Sequence, residues 1–311
     1  MVKIAFVFPG QGSQFIGMGR DFYDHVPAAK QLFEEANEVL QYDLTSICFN
    51  GPEETLKLTE NTQPALLIHS TMALKMLREN GINPILAAGH SLGEFSALVA
   101  SGALKFSDAV RLVHLRGKFM QEAVPVGKGS MAAIIGLPLD TIQELCDKVS
   151  SDSKIVQPAN LNSPIQTVIA GHKECVEKVS KDALAAGAKK TVMLPVSAPF
   201  HCPLMSPAAA VMSDALADVA IESPLVPLVS NVSARPTAEP EIIRRQLVEQ
   251  VTGLVRWRET VSWLAEDGVT MFAEIGSGRV LSGLARRVAV GSETQSVGKP
   301  SEIDDLLERL A

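Results

Sequence analysis

The sequence predicts an α/β fold: a mostly parallel sheet with helices on both faces, carrying a small inserted subdomain of split-βαβ type. Three observations predict it. Short apolar runs bounded by turn residues alternate with longer segments of helical spacing through most of the 311 residues. Between residues 126 and 197 the order becomes β-α-β-β-α-β, the ferredoxin-like arrangement. The stretch "AAGHSLGEFSA" (Ala87 to Ala97) sets a serine between two glycines, with a strand before it and helix-forming residues after it.

The elements follow in order. Lys3 to Phe8 is a short apolar run closed by Pro9-Gly10, as for a buried strand. The glycine-rich "GQGSQFIGMGRDFY" comes next. Pro27 to Leu40 places Leu32, Ala36, Val39 and Leu40 at helical spacing. Pro64 is expected in the first turn of another helix, capped by Thr62 and ending at Gly81. Ile85 to His90 reads as the next strand, and a helix runs from the Ser91 turn to about Gly102. "SDAVRLVHLRGKFMQEAV" is a further helix with Ser107 as its cap. Within the insert, "GKGSMAAIIGL", "KIVQPANL", "IQTVIAG" and "KKTVMLPV" are strands, and a turn at Asn162-Ser163-Pro164 joins the middle two. "LDTIQELCDKVS" and "HKECVEKVSKDALAAGA" are its helices. Beyond Ser197 helices are expected near residues 203–219 and 240–251, strands at 226–231 and 271–275, and a closing helix after Ser301. The expected domains are therefore 1–125 with 198–311, and 126–197.

Composition excludes several classes. Lysine plus arginine is 28 against 35 for aspartate plus glutamate, a net charge of -7, with no long basic run. Such a chain is a poor nucleic-acid binder. No apolar stretch reaches membrane-spanning length. "MVKIAFVFPG" lacks a cleavage site and reads as a strand, not a signal peptide. Cys48, Cys146, Cys175 and Cys202 are scattered, with no CxxC pair, so neither a metal site nor a disulfide framework is expected. A cytoplasmic location follows.

Gly89-x-Ser91-x-Gly93 between strand and helix fits the nucleophile elbow of hydrolase-like α/β sheets. The turn strains the serine and demands neighbours without side chains. The helix that begins there points free N–H groups at a developing oxyanion. A serine hydroxyl also needs a base. His25, His69 and His114 lie in expected helices with nothing to aim them, and His172 opens a helix. His90 adjoins the serine but should point to the other side of the turn. His201 follows "VSAPFH" in a proline-bounded loop and is favoured only modestly over His90. The acids between Ser91 and His201 lie mostly on amphipathic helices. A Ser–His dyad, with the histidine held by a neutral group, therefore fits better than a full triad.

Seven motifs occur in sequence: "FVFPGQGSQFIGMG", "TQPAL", "GHSLGE", "LRGKFMQEAVP", "NLNSP", "VIAG" and "PVSAPFHC". Together, from about Ile4 to Leu284, they resemble the malonyl-CoA:acyl carrier protein transacylase family of fatty acid and polyketide synthesis. The resemblance implies a hydrolase-like α/β domain with a ferredoxin-like insert, and no cofactor. It implies Ser91 as nucleophile, His201 as base, the backbone carbonyl of Gln250 as the group that orients His201, and the N–H groups of Gln11 and Leu92 as the oxyanion hole. Arg116 would hold the malonyl carboxylate, since a planar guanidinium makes two parallel charge-assisted bonds. Without the family pattern, Arg116 reads as one more solvated helix arginine.

Asn160 and Asn162 would line the substrate region, and Phe200 would fill the space that a methyl branch needs. The implied partners are malonyl-CoA and acyl carrier protein. The carrier is acidic, so a local basic patch is required. Arg286, Arg287, Lys189 and Lys190 are the candidates. The rival readings are a serine esterase or thioesterase with the same elbow, and a non-catalytic acyl-binding subunit.

Overall fold

The computed structural model describes residues 2–196 and 198–310. The domain limits expected at Met1, Ser197 and Ala311 lie outside the described residues. The strands are β1 (Ile4–Phe8), β2 (Leu86–Gly89), β3 (Gly129–Ile135), β4 (Val156–Ser163), β5 (Gln166–His172), β6 (Lys190–Met193), β7 (Leu228–Val229), β8 (Pro236–Thr237), β9 (Met271–Ile275) and β10 (Glu293–Val297). Six form a large sheet in the order β10-β9-β1-β2-β7-β8. All its neighbours are parallel except β7 and β8.

Strand residues alternate between two apolar layers, as the period of two requires. Phe6, Phe8, Ala87 and Met271 enter the larger core. Ala5, Val7, Leu86 and Phe272 face the other layer, against Trp257, Val261 and Leu264. Helices thus cover both faces, which is why β1 is apolar throughout and β9 nearly so, its one charged residue, Glu274, accepting from the Leu281 and Ser282 N–H groups.

The small sheet is antiparallel, in the order β4-β5-β3-β6. One face, with Ala132, Ile134 and Ile169, packs on the helices Leu139–Val149 and Lys173–Ala185 through Ile142, Cys146, Val176 and Val179. The opposite face, with Met131, Ala133, Val168 and Ala170, joins the larger core. Backbone bonds Leu161 N–H to Val255 O and Val255 N–H to Ala159 O, both 2.9 Å, tie β4 to the segment before the helix Trp257–Glu266. The small sheet therefore packs this face against the larger core.

Several local expectations need correction. The helix expected to begin near Pro64 spans Thr59–Glu79. Thr62 is inside it, and its hydroxyl donates to Leu56 O at 2.5 Å instead of capping. Pro64 cannot donate to the carbonyl of Glu60, four residues back. His114 Nδ1 meets that carbonyl at 3.1 Å, so a side chain from the neighbouring helix Phe106–Glu122 replaces the missing bond. Ser107 likewise lies inside its helix, with Lys105 at the N-cap position. The turn between β4 and β5 falls at Pro164-Ile165, not at 162–164. Residues 203–219 form a short 3₁₀ turn, Pro203–Met205, followed by the helix Ser206–Ala217. The strand expected at 226–231 shortens to β7.

Candidate active site

The candidate site forms where β2 ends and the helix Gly93–Ala100 begins. Ser91, between them, has φ +52°, the left-handed region that a non-glycine residue rarely adopts. Its neighbours must be glycine for lack of space. A Cβ on Gly89 would lie 1.9 Å from the carbonyl of Gly93, and one on Gly93 would lie 2.0 Å from the oxygen of Phe8. Asn231 clamps the turn from both sides: Ser91 N–H donates to its Oδ1 at 2.7 Å, and its Nδ2 donates to Gly89 O at 2.6 Å.

Ser91 Oγ lies 2.7 Å from His201 Nε2. His201 Nδ1 lies 2.8 Å from the backbone oxygen of Gln250. A carbonyl only accepts, so Nδ1 carries the hydrogen and Nε2 keeps the lone pair that faces the serine hydroxyl. His201 is buried and itself has φ +61°. Burial, and then the nearby charge of Arg116, push its pKa down to about 3, so the resting imidazole is neutral.

Arg116 comes from the helix Phe106–Glu122 and is 1 % exposed. Its Nη1 donates to Gln63 Oε1 at 2.9 Å, and its Nη2 to Gln250 Oε1 at 2.8 Å and Ser91 Oγ at 3.1 Å. Its Nε has no partner among the described residues. No carboxylate there forms an ion pair with it. Burial lowers its pKa to about 10, which leaves it cationic near neutral pH. A buried cation with a spare donor and no carboxylate partner is costly, and an anionic ligand would relieve that cost.

A cavity of about 540 Å³ opens on this group. Gln11, Ser91, Leu92, Arg116, Asn160, Asn162, Phe200 and His201 all line it. Gln250 stands behind the wall. Among the described residues no acceptor takes the backbone N–H of Gln11 or Leu92. The helix Gly93–Ala100 also directs the positive end of its dipole here. His90 lines the same cavity rather than pointing away from it. Its Nε2 lies 2.9 Å from Asn162 Oδ1, and its ring stands edge-on to Trp257. Of the other histidines, His69 meets Gly298 O and His25 meets Asp21 O, both remote from Ser91. His172 holds the backbone of Ile155.

Arg286 and Arg287 are exposed at the end of the helix Val280–Val288, whose Val280, Leu281 and Leu284 line the cavity. Arg286 also donates to Thr294 Oγ1 at 3.0 Å. Lys189 and Lys190 are exposed where β6 starts, and Leu194 to Val196 beyond that strand line the cavity.

Sequence reasoning missed three residues. Glu94, Asn231 and Gln63 are buried polar groups that join the site through the bonds above or through Gln250. The one available signal, for Glu94, is a carboxylate at the start of the largely apolar helix "GEFSALVA".

Relatives of known family cover nearly the whole chain. A family model described as acyl transferase domain matches residues 5–298. The malonyl CoA-acyl carrier protein transacylase of Bacillus subtilis is 49% identical over 310 residues, covering 100% of this chain and 98% of the relative. That of Escherichia coli strain K12 is 45% identical over 309 residues, covering 99% and 100%. The structure of the malonyl CoA-acyl carrier protein transacylase from Coxiella burnetii superposes with a TM-score of 0.97 at 44% identity, covering 99% of this chain and 98% of that one. A malonyl-transacylase solved in complex with its type II PKS acyl-carrier protein superposes with a TM-score of 0.96 at 46% identity, covering 99% of both chains. With a family match across most of its length and close relatives over all of it, the chain belongs to the acyl transferase domain family.

Proposed function

We propose that this protein transfers a malonyl group from coenzyme A to the phosphopantetheine thiol of acyl carrier protein, through a malonyl ester on Ser91, and so supplies malonyl units for fatty acid synthesis. One observation carries the reading. A single oxygen, Ser91 Oγ, lies 2.7 Å from a neutral imidazole and 3.1 Å from a buried guanidinium that has no carboxylate partner among the described residues. Nucleophile, base and carboxylate receptor therefore converge on one atom.

The chemistry follows from those contacts. His201 Nε2 takes the hydroxyl proton as Ser91 Oγ attacks the thioester carbonyl carbon. The N–H groups of Gln11 and Leu92 receive the developing oxyanion. The carbon–sulfur bond breaks, and the departing thiolate takes the proton back from Nε2. In the second half the carrier thiol gives its proton to Nε2 and attacks the ester. The carbon–oxygen bond then breaks and Ser91 regains its proton. Arg116 holds the free malonyl carboxylate in both halves. The Gln250 carbonyl supports the imidazolium that forms transiently, a role an acid fills in hydrolase triads. Phe200, Asn160 and Asn162 shape the acyl and pantetheine path, and Phe200 restricts a branched acyl group. Arg286, Arg287, Lys189 and Lys190 attract the acidic carrier.

The site lies between two proposed domains, 1–125 with 198–311 and 126–197. Its walls draw on both, Arg116 and Phe200 from one and Met131 and Asn160 from the other. No described helix is long and apolar enough to cross a membrane. Four buried free thiols suit a reducing cytoplasm.

The test is intact-mass analysis after exposure to malonyl-CoA, followed by peptide mapping. One malonyl group on Ser91, absent from Ser91→Ala, is the expected result. Label on another residue, or none at all, would overturn the reading.

A further inference from the structure

We propose that Glu94 is a positioning residue for the carboxylate receptor: through the side-chain amide of Gln250 it holds Arg116 where the malonyl carboxylate must arrive. The inference rests on the malonyl-transfer reading above and adds a residue to it.

Glu94 is 1 % exposed, at the second position of the helix Gly93–Ala100. Its Oε2 accepts from Gln250 Nε2 at 2.6 Å and from the Asn231 N–H at 3.3 Å. Because Oε2 already accepts from the Asn231 N–H, it acts as an acceptor and selects the nitrogen end of the Gln250 amide. The oxygen end must then face the other way, where Arg116 Nη2 donates to it at 2.8 Å. Gln250 Nε2 also donates to Ser91 O at 3.0 Å, a longer bond to a neutral carbonyl that supports the same orientation less strongly. Reversing the amide would set its NH₂ against the guanidinium, donor against donor. Glu94 thus decides which end of Gln250 meets Arg116, without touching Arg116 itself.

Burial pushes the Glu94 pKa up to about 7, against the hydrogen bonds that favour its ionised form, so near neutral pH the group carries part of a negative charge one amide away from a buried cation that has no ion pair among the described residues. Its field acts on Arg116 in the direction that favours the charged form. It thereby favours a charged, aimed guanidinium, while the Nη2 donor that meets Ser91 Oγ remains available to a substrate. A direct Glu94–Arg116 pair would instead satisfy the cation and weaken its hold on malonate. The interposed amide keeps the receptor open.

The experiment compares acylation of Ser91 by malonyl-CoA and acetyl-CoA in the wild type and Glu94→Gln, alone and with Arg116→Met. Glu94→Gln offers either end of a neutral amide to Gln250 and leaves only the 3.0 Å bond to Ser91 O to orient it, so the malonyl-to-acetyl ratio of kcat/KM should fall about tenfold or more. With Arg116→Met already present, Glu94→Gln should move that ratio no further. A general loss of rate with the ratio unchanged would make Glu94 merely structural and overturn the proposal. So would a further fall of the ratio in the double variant. If Glu94→Gln shows no cooperative melt, Glu94→Asp carries the test, because it withdraws the carboxylate from Gln250 by one methylene, and an unchanged ratio there overturns the proposal equally. Failure of the wild type to form malonyl-Ser91 would instead refute the malonyl-transfer reading itself.

Discussion

Replacing Arg116 by methionine should convert a malonyl-selective site into one that prefers acetyl. Methionine keeps much of the side-chain length and apolar volume but removes the charge and the forked donors. In the wild type a malonyl carboxylate would gain two charge-assisted hydrogen bonds in a buried setting, each worth about 1.5–3 kcal/mol. Binding also displaces the 3.1 Å bond from Arg116 Nη2 to Ser91 Oγ, which offsets part of that gain. The lower end, about 3 kcal/mol, is therefore expected, or roughly a hundredfold in kcat/KM for malonyl-CoA. Acetyl-CoA has no carboxylate to lose, so its acylation rate should change far less. Quenched-flow acylation read by intact mass, with each thioester in turn, gives both rates. Equal losses for malonyl and acetyl, or an intact preference for malonyl, would refute the role given to the guanidinium.

Three further outcomes follow from the same geometry. His201 must be neutral to accept the serine proton, and its pKa lies near 3, so activity falls only as pH drops through that range, well below 6.5. Arg116→Met removes the second cause of the shift but not burial, so the acid limb of kcat/KM for acetyl-CoA should move upward; an unmoved limb would contradict this. Phe200→Ser should raise methylmalonyl-CoA use relative to malonyl-CoA by the worth of about one methyl, roughly 10- to 200-fold, and a constant ratio would remove Phe200 from the specificity wall. Charge reversal at Arg286 and Arg287 should weaken transfer to acyl carrier protein, more so at low salt, and leave acylation by malonyl-CoA intact; equal loss in both half-reactions would count against docking there.

What could be read from the sequence follows the range of the interactions involved. β1 is an apolar run and β9 is one broken only by Glu274, and both fall close to their expected bounds. The helix Pro27–Leu40 has a clear amphipathic period and matches the expected span. By contrast, β10 reads "ETQSV", a polar edge strand that pattern alone does not distinguish from a loop. The helix Thr59–Glu79 buries Thr59, Asn61, Thr62 and Gln63 as well as its leucines, so it has no solvated face to mark its start. At its internal Pro64 the freed carbonyl is met by His114, from a distant segment.

The site divides the same way. The elbow at Ser91 is legible because its glycines and flanking elements are local. His201 and His90 were hard to separate, and both indeed line the cavity, but only His201 reaches Ser91 Oγ. Arg116 looks like any helix arginine until the fold buries it against Gln63 and Gln250. Glu94 meets Gln250 across 156 residues and Asn231 across 137, and no pattern in a single sequence records such pairs.

The central claim is that one hydroxyl, held between an imidazole and a guanidinium, carries the malonyl group from one thiol to another. Malonylated enzyme, isolated free of coenzyme A and mixed with acyl carrier protein bearing its phosphopantetheine arm, tests it in a single turnover followed by mass. The account predicts that the malonyl group appears on the carrier thiol as Ser91 returns to its free form. Release of free malonate in place of that transfer would contradict it.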